Sequence, residues 1–126
     1  MHRSHILYLE DILESANNIQ NYVGNLSYQE LVGDRMRMDA IVRNFEIIGE
    51  ASGKIPQDIQ EQYSFIEWRK IADFRNVLAH EYFGIDHEIM WQIIKEKLPE
   101  LQKGIKTIHK HEKYFSRLNE RFKYIS

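Results

Sequence analysis

Cysteine is absent from the 126 residues. That excludes a disulfide framework and thiolate metal sites, and it suits a reducing cytosol. Long apolar runs are missing too, since none approaches the roughly 18 residues that a membrane span requires. The opening Met1-His2-Arg3-Ser4-His5 lacks the charged-then-apolar layout of a secretion signal. A cytoplasmic protein with no membrane association is expected. Nowhere do apolar and polar residues alternate as in a strand, and there is no internal repeat, low-complexity tract or linker. No glycine loop suited to a phosphate occurs, and neither does a His-Glu-x-x-His or Glu-x-x-His spacing. His109 and His111, two apart on a helix, point about 200° from each other and cannot share an ion. No metal and no cofactor are expected.

What remains is an ordinary soluble composition with 43% hydrophobic residues, in a chain the length of one domain. Residues 1–126 are read as a single helical domain. The net charge of −2 hides an asymmetry. From Lys103 onward seven cations face two carboxylates, a balance of +5, whereas the preceding residues hold ten cations and seventeen carboxylates, a balance of −7. Such a tail suits a polyanion or an acidic partner, or else it is the solvated face of a terminal helix.

Taken in order, Ile6, Leu9, Ile12, Leu13, Ala16, Ile19 and Val23 step at helical intervals up to Gly24, predicting a helix over 5–23. Ser27 and Glu30 have capping-box spacing and start one short turn. Asp34 can cap a helix whose stripe of Met38, Ile41, Val42, Phe45, Ile48 and Ala51 ends near Gly53. Pro56 allows a short turn to Tyr63, and Ser64 is taken as the cap of the next helix. Asp86 caps a helix bearing Ile89, Trp91, Ile93 and Ile94 that halts at Leu98-Pro99. A last helix from Pro99 carries Leu101, Ile105, Ile108, Phe115, Leu118, Phe122 and Ile125 close to a 3.5-residue repeat, and could extend the bundle or reach a second subunit. The sum is an all-α bundle of four to five main antiparallel helices.

The segment Trp68 to Phe83 concentrates the chemistry. Ile71, Phe74, Leu78 and the pair Tyr82 and Phe83 form one apolar face of a helix. Arg75, Asn76, His80 and Tyr82 put a permanent cation, an amide, an imidazole and a phenol within eight residues. At about 100° per residue Arg75 and Tyr82 share a face, whereas His80 lies roughly 140° round from Arg75. The two converge only if the helix is distorted near its end, close to Gly84, or if another helix or subunit completes a groove between them. The plain alternative is that Arg75 pairs with Asp73 or Glu81 and His80 is a helix-end histidine favoured by the dipole. Trp68 reads as a core anchor, or as an aromatic able to stack a base.

Arg75-Asn76-Val77-Leu78-Ala79-His80-Glu81-Tyr82 resembles the Arg, four residues, His, one residue, Tyr signature of the HepT-like branch of the HEPN superfamily. Asp39 to Ala51, with Gly49-Glu50-Ala51, resembles that family's second long helix. Tyr82-Phe83-Gly84-Ile85-Asp86, Trp91 and Leu98-Pro99-Glu100-Leu101 also fit, so the likeness spans roughly Leu7 to Leu101. The resemblance implies a homodimeric, HEPN-like helical bundle acting as the toxin of a type II toxin–antitoxin pair. The activity implied is a metal-independent endoribonuclease with Arg75 and His80 as catalytic residues. It also implies a cognate minimal nucleotidyltransferase antitoxin that adenylylates Tyr82. The chemistry is coherent. An imidazole with an ordinary pKa near about 6.5 moves protons at neutral pH, a forked guanidinium suits phosphate oxygens, and Asn76 holds the phosphate or orients His80. Two Arg/His sets facing one dimer cleft would supply acid and base together. A nucleotide on Tyr82 would bring a negative charge beside Arg75 and fill the groove. Glu50 either bonds a basic group such as Arg75 or is a solvated helix residue. Two rival functions share these features: a non-catalytic substrate- or nucleotide-binding subunit of a nucleotidyltransferase, and an RNA-binding adaptor acting through the basic tail.

Overall fold

Apolar residues at helical spacing become buried stripes on four long helices. The computed structural model describes the backbone of residues 3–81 and 86–123, and their side chains except those of His80 and Glu81. The helices are α1 (His5–Val23), α2 (Tyr28–Val32), α3 (Arg35–Lys54), α4 (Gln57–Gln62), α5 (Trp68–Glu81), α6 (His87–Gln92) and α7 (Leu98–Phe122). Among the described residues there is no strand.

The sequence punctuation acts where expected. Ser4 and Asp34 cap α1 and α3 through their side chains, Asp86 caps α6, and Ser27 and Glu30 form a reciprocal capping box on α2. Gly24 ends α1 at a φ of 50°, a conformation that suits a residue without a Cβ. Ser64 is not the cap of α5: it sits in the turn after α4, four positions before the helix begins at Trp68. The Trp68 indole N–H instead donates to the Tyr63 carbonyl at 3.1 Å and fastens the entry to α5.

The chain also does not halt at Leu98-Pro99. One π-helical turn, Ile93–Lys97, joins α6 to α7 without a break, and the Leu98 N–H reaches back five residues to the Ile93 carbonyl. Proline lacks the N–H that a regular turn would use and its ring crowds the preceding turn. A widened turn directly ahead of Pro99 accommodates both.

Packing order follows from the contacts. α1 lies antiparallel to α3, because Asn18 bonds Asn44 at 3.2 Å while Arg37 donates to the Tyr22 carbonyl at 2.6 Å. α1 is likewise antiparallel to α7, with His5 against Glu112, His109 against Glu10 and Gln102 against Asn17. α3 carries α5 on its other side. Round the bundle the order is therefore α7, α1, α3, α5. Leu9, Ile12, Ile19, Ile41, Leu78 and Ile105, all at most 1% exposed, form its centre.

The bundle does not close between α5 and α7. An open seam of about 780 Å³ lies there, floored by Phe45 and Ile48 of α3 and walled by Ile71 and Phe74 on one side and Leu101 and Gly104 on the other. Ile66 plugs part of it: a Cβ on Gly104 would stand 2.5 Å from the Ile66 Cδ1, so the glycine lets that side chain sit where it does without shifting.

Candidate functional site

α5 is held to α3 at two points. Phe74 meets Phe45 edge to face, centroids 5.2 Å apart at 90°. One residue further along, Arg75 crosses α3 at Gly49, where a Cβ would fall 2.4 Å from both Cβ and Cγ of Arg75. Real atoms do not approach so closely, so the absence of a side chain at Gly49 is what lets the stem of Arg75 lie on α3. The backbone and the base of the side chain are thereby fixed. Arg75 as a whole stays exposed, and it makes no ion pair with any described carboxylate.

The neighbouring candidates divide by position. Asn76 is exposed, as are Ala72, Val77 and Ala79, whereas Leu78 is buried. α5 is helical through Glu81, so within the described residues no distortion swings position 80 toward position 75. The roughly 140° between them persists, and Asn76, one turn before position 80, lies on that side of the helix. The His80 side chain and the whole of Tyr82 lie outside the described residues. Among the described residues, the structure therefore places Arg75 and Asn76 exposed on α5, with no other described side chain paired to the guanidinium.

Of the alternatives open for nearby charges, Glu50 takes the solvated one, with its side chain 49% exposed, and the pairing of Arg75 with Glu81 lies outside the described side chains. Glu50 does not approach Arg75; its carboxylate lies 4.0 Å from Arg43. Asp73 forms no ion pair with Arg75, and the described salt bridge of that region joins Lys70 to Glu67 at 3.1 Å. Trp68 is half-buried against the core with its indole N–H satisfied, in keeping with an anchor.

The sequence reading missed a second polar cluster. Glu112 is only 8% exposed; it accepts from the Tyr63 hydroxyl at 2.6 Å and meets the His5 Nε2 at 2.8 Å. Burial, and then the hydrogen bond and charge of Glu112, push the Tyr63 phenol up to about 12. The signal was there to read: Glu112 sits four residues after Ile108, on the apolar stripe of α7. His109 turns instead to Glu10, at 3.3 Å, and His111 faces the Tyr63 ring. Also unanticipated are Lys70, Lys97 and Lys103, which rim the apolar seam.

With this geometry in place, comparison with known proteins gives one consistent result. Residues 12–108 match the family model described as "Ribonuclease HepT-like". The chain is similar to a "Putative RNase" of Methanocaldococcus jannaschii, 39% identical over 101 residues, covering 80% of this chain and 93% of that protein. It is 40% identical over 106 residues to a protein of the same description from Caldanaerobacter subterraneus subsp. tengcongensis, covering 84% and 95%. A "Probable ribonuclease HepT" of Thermococcus cleftensis is 37% identical over 110 residues, covering 87% of this chain and all of its own. No solved structure matches. Among the described residues, no helix is long and apolar enough to cross a membrane.

Proposed function

This chain belongs to the HepT-like ribonuclease family of the HEPN superfamily, and from that premise we propose that it is a cytoplasmic toxin, an endoribonuclease that cuts RNA without a metal ion at a cleft shared by two copies. The observation that carries the reading is the seat of Arg75. A glycine on α3 lets the stem of this residue lie against the helix, yet the residue is exposed and without a described carboxylate partner. A stabilising surface ion pair would not need that arrangement. A group waiting for a phosphate would.

In the proposed reaction the ribose 2′-oxygen attacks the adjacent phosphorus and the bond to the 5′-oxygen breaks, leaving a cyclic phosphate and a free 5′-hydroxyl. Arg75 balances the charge that builds on the phosphoryl oxygens. His80 carries a proton, and Asn76 orients it or holds the phosphate. Because one regular helix keeps positions 75 and 80 apart, the guanidinium that works with a given His80 is assigned to a second copy, and that His80 takes the 2′-hydroxyl proton and returns it to the departing 5′-oxygen. Ala72, Asn76 and Ala79, exposed and within about 60° of one another on α5, offer a low-relief face for that copy. Tyr82 is the proposed control point, adenylylated by a cognate minimal nucleotidyltransferase antitoxin, which would set a phosphodiester charge against Arg75.

The test is cleavage of RNA by purified protein in the presence of chelator. Cyclic-phosphate ends are expected, and His80→Ala or Arg75→Ala should lower the rate by roughly 10²- to 10⁴-fold. Undiminished cleavage by His80→Ala removes His80 from the mechanism. Wild-type protein that is harmless on expression and binds the nucleotidyltransferase tightly would favour a non-catalytic partner subunit.

A further inference from the structure

The family match stops at residue 108, but α7 continues to Phe122. Lys103, Lys106, Lys110, Lys113, Arg117 and Arg121 follow one another along it at steps of three and four. At about 100° per residue all six fall within an arc of about 80° and run for about 27 Å. Every one is exposed, and none pairs with a described carboxylate. The acid nearest in sequence to the centre of the row, Glu112, is turned to the opposite side and consumed by Tyr63 and His5. Six like charges in line repel one another, with like pairs at these spacings each costing a few tenths of a kcal/mol. The row lowers the stability of the free helix and gains only from a matching line of negative charge.

Tyr114 lies beside the row, about 20° past Lys103 in register, and its side chain is 59% exposed. An aromatic face among cations is the combination that single-stranded nucleic acid uses, with phosphates on the cations and a base on the ring. The row also begins at the seam, because Lys103 both rims that opening and starts the line.

We propose that the exposed face of α7 from Lys103 to Arg121, with Tyr114, is a track for the backbone of single-stranded RNA that holds the substrate strand outside the cleavage site. Choosing RNA over an acidic protein rests on the ribonuclease reading above. The track accounts for the +5 tail on a chain of net charge −2.

The test compares wild-type protein with Lys110→Gln/Lys113→Gln/Arg117→Gln, using a 2′-O-methyl oligoribonucleotide that cannot be cleaved. The triple variant is expected to bind on the order of a hundredfold more weakly at 0.1 M salt, with a salt slope shallower by about 2. Tyr114→Ala should weaken binding roughly tenfold, and Lys110→Arg/Lys113→Arg, which keeps all three charges, should bind as the wild type does. In the triple variant thermal midpoint and helicity should not fall, and relief of the like-charge repulsion should raise them slightly. Cleavage of a dinucleotide, too short to reach α7, should be unaffected while KM for a longer RNA rises. Equal affinity and equal slope for the triple variant would overturn the proposal. So would wild-type protein that ignores RNA but binds polyglutamate in a salt-dependent way. If His80→Ala cleaves normally while the triple variant still loses RNA, the cleavage reading fails and the track stands.

Discussion

A methyl group at position 49 would meet the base of the Arg75 side chain at 2.4 Å, and neither partner can retreat, because Arg75 Cβ moves only with the α5 backbone. Gly49→Ala should push α3 and α5 apart, destabilise the fold by about 1–3 kcal/mol and reduce RNA cleavage beyond what the stability loss explains. Gly53→Ala, one turn later and facing open space, is the matched control and should be neutral or stabilising by about 0.5–1 kcal/mol; chemical denaturation of both variants checks the pair. Tyr63 gives a second prediction at this scale. Its phenol is raised to about 12, so the native state holds that proton more tightly than the unfolded chain does. The contribution is complete below pH 10 and is lost as pH rises from 10 toward 12. A thermal-midpoint profile should fall across that window, and Tyr63→Phe should remove this component of the fall. At neutral pH the same substitution should cost about 1–3 kcal/mol, because the buried Glu112 carboxylate loses a donor. The sequence marked Gly49 only as part of the Gly49-Glu50-Ala51 stretch that carries the family resemblance, and it could not show that its neighbour is the Arg75 stem. That pairing depends on where α5 crosses α3, which no local pattern encodes.

Elements were legible where local chemistry determines them. The bounds of α1, the caps at Ser27, Asp34 and Asp86, and the core stripe of α3 all follow from side-chain spacing and capping. Two element boundaries were misread for a shared reason: each is decided by partners distant in the chain or by an irregular turn. Ser64 offers a cap, but α5 starts later, where Trp68 can reach the Tyr63 carbonyl. Pro99 signals a stop, yet the π-helical turn before it lets the helix continue. α7 then outruns its packing. Its buried residues end at Glu112, and beyond it only Leu118 is even half-buried among those described. Truncation after Lys113 should therefore shift the thermal midpoint by only a few degrees, on the scale of about 1 kcal/mol or less. Truncation after Gly104 removes Ile105, Ile108 and Glu112 and should abolish cooperative unfolding. Calorimetry of the two truncations distinguishes a free-standing end from one the bundle needs.

Across the whole molecule, the bundle order α7, α1, α3, α5 leaves α5 beside the open seam with Arg75, Asn76, Val77 and Ala79 exposed. The all-α class was readable from periodicity. The open seam was not, because it arises from the failure of two outer helices to meet. The candidate residues are legible as types and register, and the proposal of a shared cleft follows from helix geometry: 140° on a regular helix does not close. Two variants mixed together test this most directly. Arg75→Ala and His80→Ala proteins, each deficient in cleavage alone, are combined under conditions where subunit exchange is verified by mass, and RNA cleavage is measured in chelator. The account predicts that the mixture recovers cleavage well above either variant, because a mixed pair presents an intact guanidinium from one copy to an intact imidazole from the other. Mixed pairs that form and remain as inactive as the separate variants would contradict it.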